Sequence, residues 1–208
     1  MRRPLVWATV FELFLAVAAL AVGAVFRFSP LAGLPDSAEG AVFSMAPGFG
    51  ILLGVPATLP PLLLFFLFLR SDRPPFRRIR AILSRVLEPL LRSLTPLGAV
   101  VLSLAAGLGE EVLFRGLVMG AILLWLGPLP AILASSLLFG ALHWVTPAYA
   151  AHATLLGLYL GGLYVLTGTL LVPILVHAIY DAVALVILAS RYTVSTSRER
   201  YLPDYGKK

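Results

Sequence analysis

The sequence predicts an all-α protein: a polytopic transmembrane helix bundle of about six spans, with one amphipathic helix lying at the interface. Three observations carry this. Hydrophobic residues fill 60% of the 208 positions and charged residues only 12%, and mean hydropathy is +0.96, a composition foreign to soluble domains. The apolar residues also fall in runs long enough to cross a hydrocarbon layer of about 30 Å, separated by glycine, proline and arginine. Finally, the net charge of +6 is concentrated between those runs and at the ends of the chain. That is the pattern of cytoplasmic membrane borders, and it argues for membrane lipids as partners and against nucleic acid. No polar stretch is long enough to build a second core, so 1–208 reads as a single transmembrane domain. The chain has no cysteine, which removes disulfides, thiolate metal ligands and a cysteine nucleophile together.

The elements follow in order. Met1-Arg2-Arg3 precedes an apolar stretch too long for the core of a signal peptide, so residues 5–28 are a retained first span, with Glu12 and Arg27 snorkelling to the interface. Residues 29–45, with Pro30, Pro35, Asp36 and Glu39, form a loop. Residues 47–69 are span two, where Pro56, Pro60 and Pro61 are expected to kink or break the helix. Arg70, Arg73, Arg77, Arg78, Arg80, Arg85 and Arg92 then interleave with Phe76, Ile79, Leu83, Leu87 and Leu90 at near-helical spacing. This predicts an interfacial helix over 76–94 that anchors on anionic lipid. Residues 97–126 are span three. Gly127-Pro128-Leu129-Pro130 turns the chain into a short span four at 131–145, which Pro147 ends. Residues 148–166 are span five, where Gly157, Gly161 and Gly162 permit close helix approach. Residues 170–189 are span six, followed by a polar, basic tail from Ser190. An even number of spans places the Arg70–Arg92 block and the basic residues of both ends on one side, so the positive-inside rule puts both termini in the cytoplasm.

Span three holds the charges that need explaining. Glu110, Glu111 and Arg115 sit near its middle, where each charge costs about 2.5–3.5 kcal/mol on insertion scales. Glu111 and Arg115 are four apart, acid first, and can neutralise each other on one face. Glu110 points about 100° away and needs another partner. Depths counted at about 1.5 Å per residue let Glu110 meet His143 in span four and His177 in span six. His177 and Asp181 share a face, which lets the carboxylate hold the imidazole or bind the same ligand, and Phe139 and His143 share a face by the same spacing, so the ring can wall the histidine's surroundings. A glutamate, two histidines and an aspartate suffice to activate water. Glu110 would be the general base, His143 would orient the water or the substrate carbonyl, and His177 would stabilise an oxyanion. Structural readings compete: Glu111 with Arg115 as a structural pair, His177 with Asp181 as a helix-locking hydrogen bond, and His152, beside Tyr149, as an interfacial residue.

Glu110-Glu111-x-x-x-Arg115, Phe139-x-x-x-His143 and His177-x-x-x-Asp181, in that order on successive apolar segments, resemble the CPBP family of intramembrane proteases. That family takes in the type II CAAX prenyl endopeptidases and bacterial abortive-infection and bacteriocin-immunity membrane proteins. The resemblance covers roughly 97–189 and implies peptide-bond hydrolysis by activated water in a water-filled cavity. It implies that Glu110 and His143 activate the water, that His177 and the residue at 181 stabilise the oxyanion, and that Glu111 with Arg115 holds the site together. Position 181 is commonly Asn in the prenyl proteases and is Asp here. An ionised Asp cannot donate to an oxyanion, so Asp181 is protonated, orients His177, or binds a metal. The family is labelled metalloprotease, and a metal-free glutamate mechanism has also been proposed for it. Glu110, His143 and His177 have the make-up of a catalytic zinc site with one position open, although no H-E-x-x-H motif supports one.

The expected function is an intramembrane endopeptidase acting on a membrane-associated or lipidated protein or peptide, with prenylated tails as the eukaryotic precedent. The expected location is a bacterial inner or plasma membrane. The competing classes are a non-catalytic scaffold or bacteriocin-immunity protein, and a proton-coupled transporter. Internal symmetry between halves would favour transport, and the charges of interest all fall after Gly109.

Overall fold

A computed structural model describes residues 3–31 and 47–201. In chain order the helices are α1 (Arg3–Val25), α2 (Pro47–Ala57), α3 (Leu59–Arg70), α4 (Pro74–Val86), α5 (Glu88–Leu91) and α6 (Pro96–Glu111). A π-helical segment, Val112–Met119, leads without interruption into α7 (Gly120–Leu126), followed by α8 (Pro128–Leu142), α9 (Pro147–Thr167) and α10 (Leu171–Tyr201). There is no strand among the described residues. Helical stretches Arg3–Val25, Gly50–Arg70, Pro96–Leu126, Pro147–Thr167 and Leu171–Tyr192 are long and apolar enough to cross a membrane, and Pro128–Leu142 is a shorter apolar helix. Trp7, Phe14, Leu67, Leu97, Trp125 and Leu166 are exposed on the outside of the bundle, as hydrocarbon rather than water would have them. Met119, Leu160, Leu170, Val172 and Val176 are fully buried.

The span containing α6 is the centre of the bundle, packed on α1 and α10, while α8 pairs with α9. The α1–α6 contact is parallel. Leu5 meets Gly98, Glu12 meets Gly109, and Phe28 and Pro30, beyond the end of α1, meet Gly120 and Gly116. Two parallel neighbours need a returning segment between them, and α2–α3 provides it. Small residues set the approach: a Cβ on Gly109 would lie 2.0 Å from the Glu12 carbonyl oxygen, and one on Gly140 would lie 2.7 Å from the Ala150 carbonyl oxygen.

Several boundaries move from those expected, each for a local reason. The first span stops at Val25 rather than 28. Phe28 N–H bonds to Gly23 O at 2.8 Å and Arg27 N–H to Ala24 O at 3.2 Å, with Arg27 at φ 54°, which makes a Schellman motif with arginine in the usual glycine position. Residues 32–45 of the expected loop lie outside the described residues. The second span is broken at Thr58, as the prolines demand. Pro60 and Pro61 open α3, and the Thr58 hydroxyl donates to Gly54 O at 2.9 Å, supplying the carbonyl that the break would strand. The expected single helix at 76–94 is two, because Pro89 lacks the N–H and cannot continue the ladder. Its arginines face outward around buried Ile79, except that Arg80 folds back. Its Nη1 donates to Phe68 O at 2.8 Å and Ser71 O at 2.7 Å, capping the C-terminal end of α3.

Span four also shifts. Pro128 and Pro130, expected to turn the chain, sit instead in the first turn of α8, where a missing N–H does no harm. The helix ends at Leu142, so His143 is its C-cap rather than an interior residue. The helix of span six runs on to Tyr201, past the expected end at 189.

The even-span reading with cytoplasmic termini yields a direct check. Cysteines placed at Ser71 and Ser190 are expected to react with a membrane-impermeant maleimide from the same, cytoplasmic face. Labelling of the two from opposite faces would sink the arrangement.

Candidate active site

Glu110 and Glu111 end α6, and the segment after them winds as a π-helix where a regular α-helix was expected. Such widened turns arise where side chains or neighbouring helices compete for backbone groups, and they cluster at functional sites. Here the Phe114 carbonyl accepts a hydrogen bond from Ser135 Oγ of α8 at 3.2 Å. The widened turn also carries Arg115, whose Nη1 donates to Glu111 Oε1 at 2.9 Å and whose Nη2 donates to the Gly157 carbonyl of α9 at 3.0 Å. Both side chains are wholly buried, and the guanidinium carbon lies 4.9 Å from the centre of the Phe139 ring. The expected pairing is present, and it is more than a surface ion pair: a planar fork splits its donors between a carboxylate and a backbone carbonyl.

Both histidines have one ring nitrogen committed. His177 Nδ1 bonds to the same Glu111 Oε1 at 2.8 Å, and because a carboxylate only accepts, Nδ1 carries the proton. Its Nε2 then faces Glu110 Oε2 at 3.8 Å and Asp181 Oδ2 at 3.6 Å. The sequence paired His177 with Asp181. The geometry instead gives the short bond to Glu111 and leaves Asp181 beyond hydrogen-bond distance, because the ring turns toward the buried ion pair. His143 Nδ1 bonds to the Phe139 carbonyl at 2.9 Å, which likewise fixes its proton and leaves Nε2 as an acceptor facing Glu110 Oε1 at 3.7 Å. Phe139 stacks on His143 with ring centres 4.3 Å apart and meets Phe114 edge-on at 5.0 Å, so it walls the histidine as its spacing suggested.

Glu110 is therefore bracketed by two imidazole nitrogens, one toward each carboxylate oxygen. It is only 8% exposed, and its Oε2 has no hydrogen-bond partner among the described residues. A cavity of about 310 Å³ opens beside it, walled by Phe65, Phe68, Leu83 and Leu87, with Asp181 also on its lining. Catalytic groups need such access to water.

Two residues of this cavity were misjudged from sequence. Glu12 was expected to snorkel. It lines the cavity instead, its Oε2 buried and unpartnered among the described residues, because the backbone contact at Gly109 holds that turn of α1 against α6. His152 was expected at the interface. It is partly buried and bonds through Nε2 to the Tyr180 hydroxyl at 3.0 Å, and both, with Tyr149, line the same cavity. The Tyr149-x-x-His152 spacing was visible in the sequence; the partner on α10 was not.

The residues whose make-up suits zinc stand around one space but not as a ligand set. His143 and His177 address different oxygens of Glu110, and among the described residues no three His, Asp or Glu side chains are gathered so as to hold a metal ion.

The buried pair makes a stability test. Arg115→Ala is expected to lower unfolding stability by about 3–5 kcal/mol, measured by denaturation in detergent, and Glu111→Gln/Arg115→Gln to recover part of the loss. Arg115→Lys should also destabilise, since one ammonium does not reach both partners of the fork. A stable Arg115→Ala protein would show the pair to be dispensable.

Residues 92–183 match the family model described as type II CAAX prenyl endopeptidase, Rce1-like. No curated protein and no solved structure matches the chain. The matched stretch begins at the end of the interfacial segment and runs into α10. It contains Glu110, Glu111, Arg115, Phe139, His143, His177 and Asp181, and leaves α1 to α5, with Glu12, outside. The chain is thus an integral membrane helix bundle whose segment 92–183 matches the model of the type II CAAX prenyl endopeptidase family, the one its three spaced motifs resemble.

Proposed function

We propose that this protein is an intramembrane endopeptidase in which Glu110 activates a water molecule for attack on a peptide bond of a membrane-associated or lipidated substrate. One observation carries the reading: Glu110 Oε1 and His143 Nε2 are two acceptors 3.7 Å apart, with the His143 proton held on Nδ1 by the Phe139 carbonyl. Neither can donate to the other when Glu110 is ionised, and a water molecule donating one hydrogen to each satisfies both.

The chemistry then runs on protein groups and water. Glu110 takes a proton from the water as its oxygen bonds to the carbonyl carbon, and the carbonyl electron pair moves to the oxygen. His177 in its doubly protonated form donates from Nδ1 to Glu111 and from Nε2 toward that oxyanion. Asp181, 3.6 Å from His177 Nε2, balances the imidazolium charge rather than donating. The C–N bond breaks as Glu110 returns its proton to the leaving amine, giving one carboxylate and one amine product. Glu111, Arg115 and Phe139 hold the rings. Zinc, the cofactor that the make-up of Glu110, His143 and His177 suggested, has no part in these steps, because the three do not stand as a ligand set among the described residues. The membrane proposed is a bacterial inner or plasma membrane, and the arginine distribution supports both termini in the cytoplasm.

The test is a cleavage screen of membrane-associated and prenylated peptides with the purified protein in lipid nanodiscs. Glu110→Gln and His143→Ala are each expected to reduce cleavage by at least about 10²-fold, the usual weight of a general base, while keeping wild-type helical content and thermal stability. Chelator treatment that abolishes cleavage, with recovery on added zinc, would assign the three residues as ligands. Unchanged cleavage would leave the work to the side chains. A Glu110→Gln protein cutting at the wild-type rate would return the cluster to the scaffold reading.

A further inference from the structure

We propose that Glu12 is a specificity-determining residue that holds a cationic group of the substrate, the ammonium or guanidinium of a lysine or arginine side chain lying in the cavity beside Glu110. This rests on the protease reading and adds to it a residue from α1, outside the matched family segment.

Placement is the first support. The Glu12 carbonyl lies where a Gly109 Cβ would be, so this turn of α1 cannot move away from α6 without losing the contact, and the Glu12 carboxylate is held on the wall that also carries Glu110. Charge is the second. Glu12, Glu110 and Asp181 line the cavity, and no lysine or arginine does among the described residues. The nearby cation, Arg115, is already committed to Glu111 and the Gly157 carbonyl. His177 can balance at most one of the three carboxylates. The polar neighbour His152 is bonded to Tyr180.

Two oxygens of the cavity lining are buried without a partner among the described residues: Oε2 of Glu12, and Oε2 of Glu110, which is 92% buried and faces the cavity. The water proposed between Glu110 Oε1 and His143 answers neither. Shape is the third support. Apart from Tyr149, His152 and Tyr180 the rest of the wall is apolar, with Phe65, Phe68, Leu83 and Leu87, and about 310 Å³ lies at the small end of ligand pockets. An alkyl stem ending in a cation suits such a space, its methylenes on the hydrocarbon wall and its head at the carboxylate.

Two measurements test this with the full chain in nanodiscs. Peptide pairs identical except for lysine or norleucine at successive positions around the cleavage site are compared by kcat/KM. Wild type should prefer lysine at one position by at least about tenfold, Glu12→Gln should lose that preference while still cutting the norleucine peptide, and Glu12→Arg should prefer glutamate there. Glu12→Leu, compatible with the apolar wall, serves if Glu12→Gln does not fold. Separately, n-hexylammonium should raise the melting temperature of wild type but not of Glu12→Gln, with 1-hexanol raising neither. Cleavage without a lysine preference, or a preference that survives Glu12→Gln, overturns the proposal and leaves the protease reading standing. Hexylammonium binding that depends on Glu12 in a protein that cuts no peptide supports the cation site and counts against the protease.

Discussion

One carboxylate oxygen organises this molecule. Glu111 Oε1 accepts at once from Arg115 Nη1 and from His177 Nδ1, and Arg115 reaches on to the Gly157 carbonyl, so a single buried acceptor ties the central span to α9 and α10. Taking these groups out of water costs several kcal/mol per ion, and only well-aligned hydrogen bonds and mutual attraction offset it. The return is orientation. With Nδ1 of His177 fixed by Glu111, the opposite nitrogen is turned to the side where Glu110 and Asp181 stand.

The two histidines are held by the same device in different materials. His177 is oriented by a carboxylate and His143 by a backbone carbonyl at the end of its own helix. Each leaves one nitrogen toward Glu110, and each ring is packed on or beside Phe139. Side chains locked by neighbours rather than by the reacting groups are what precise catalytic geometry requires. Because His143 sits at a helix end rather than inside it, its Nδ1 and its own backbone N–H both bond to the Phe139 carbonyl, which the side chain shares with the closing amide.

Much of this was legible in the residues. Spans follow from hydropathy, the Glu111–Arg115 pair from four-residue spacing, and the meeting of Glu110 with His143 and His177 from depth counted along apolar runs. What spacing could not show is anything decided between elements. The His177–Glu111 bond joins residues 66 apart and competes with the nearer Asp181. His152 finds Tyr180 only because α9 and α10 pack together. Glu12 looked like a residue near the end of a span, since its depth depends on Gly109 holding that turn of α1 against the centre. Proline gave a mixed signal: at Pro60 and Pro89 the helix broke as expected of the missing amide, Pro56 stands inside α2, and at Pro128 a helix begins.

The π-helical segment has a consequence for how this stretch compares with others. A helix bonded i to i+5 carries more residues per turn than an α-helix, so Val112–Met119 behaves like an α-helix with an insertion absorbed into it. A relative that lacks the widening would align without a visible gap on either side, yet its residues beyond the segment would point around the helix in a different direction. Removing one residue as the segment tightens would leave α7 and its leucines facing as they do now, whereas tightening it with every residue kept would rotate them relative to the paired glutamates.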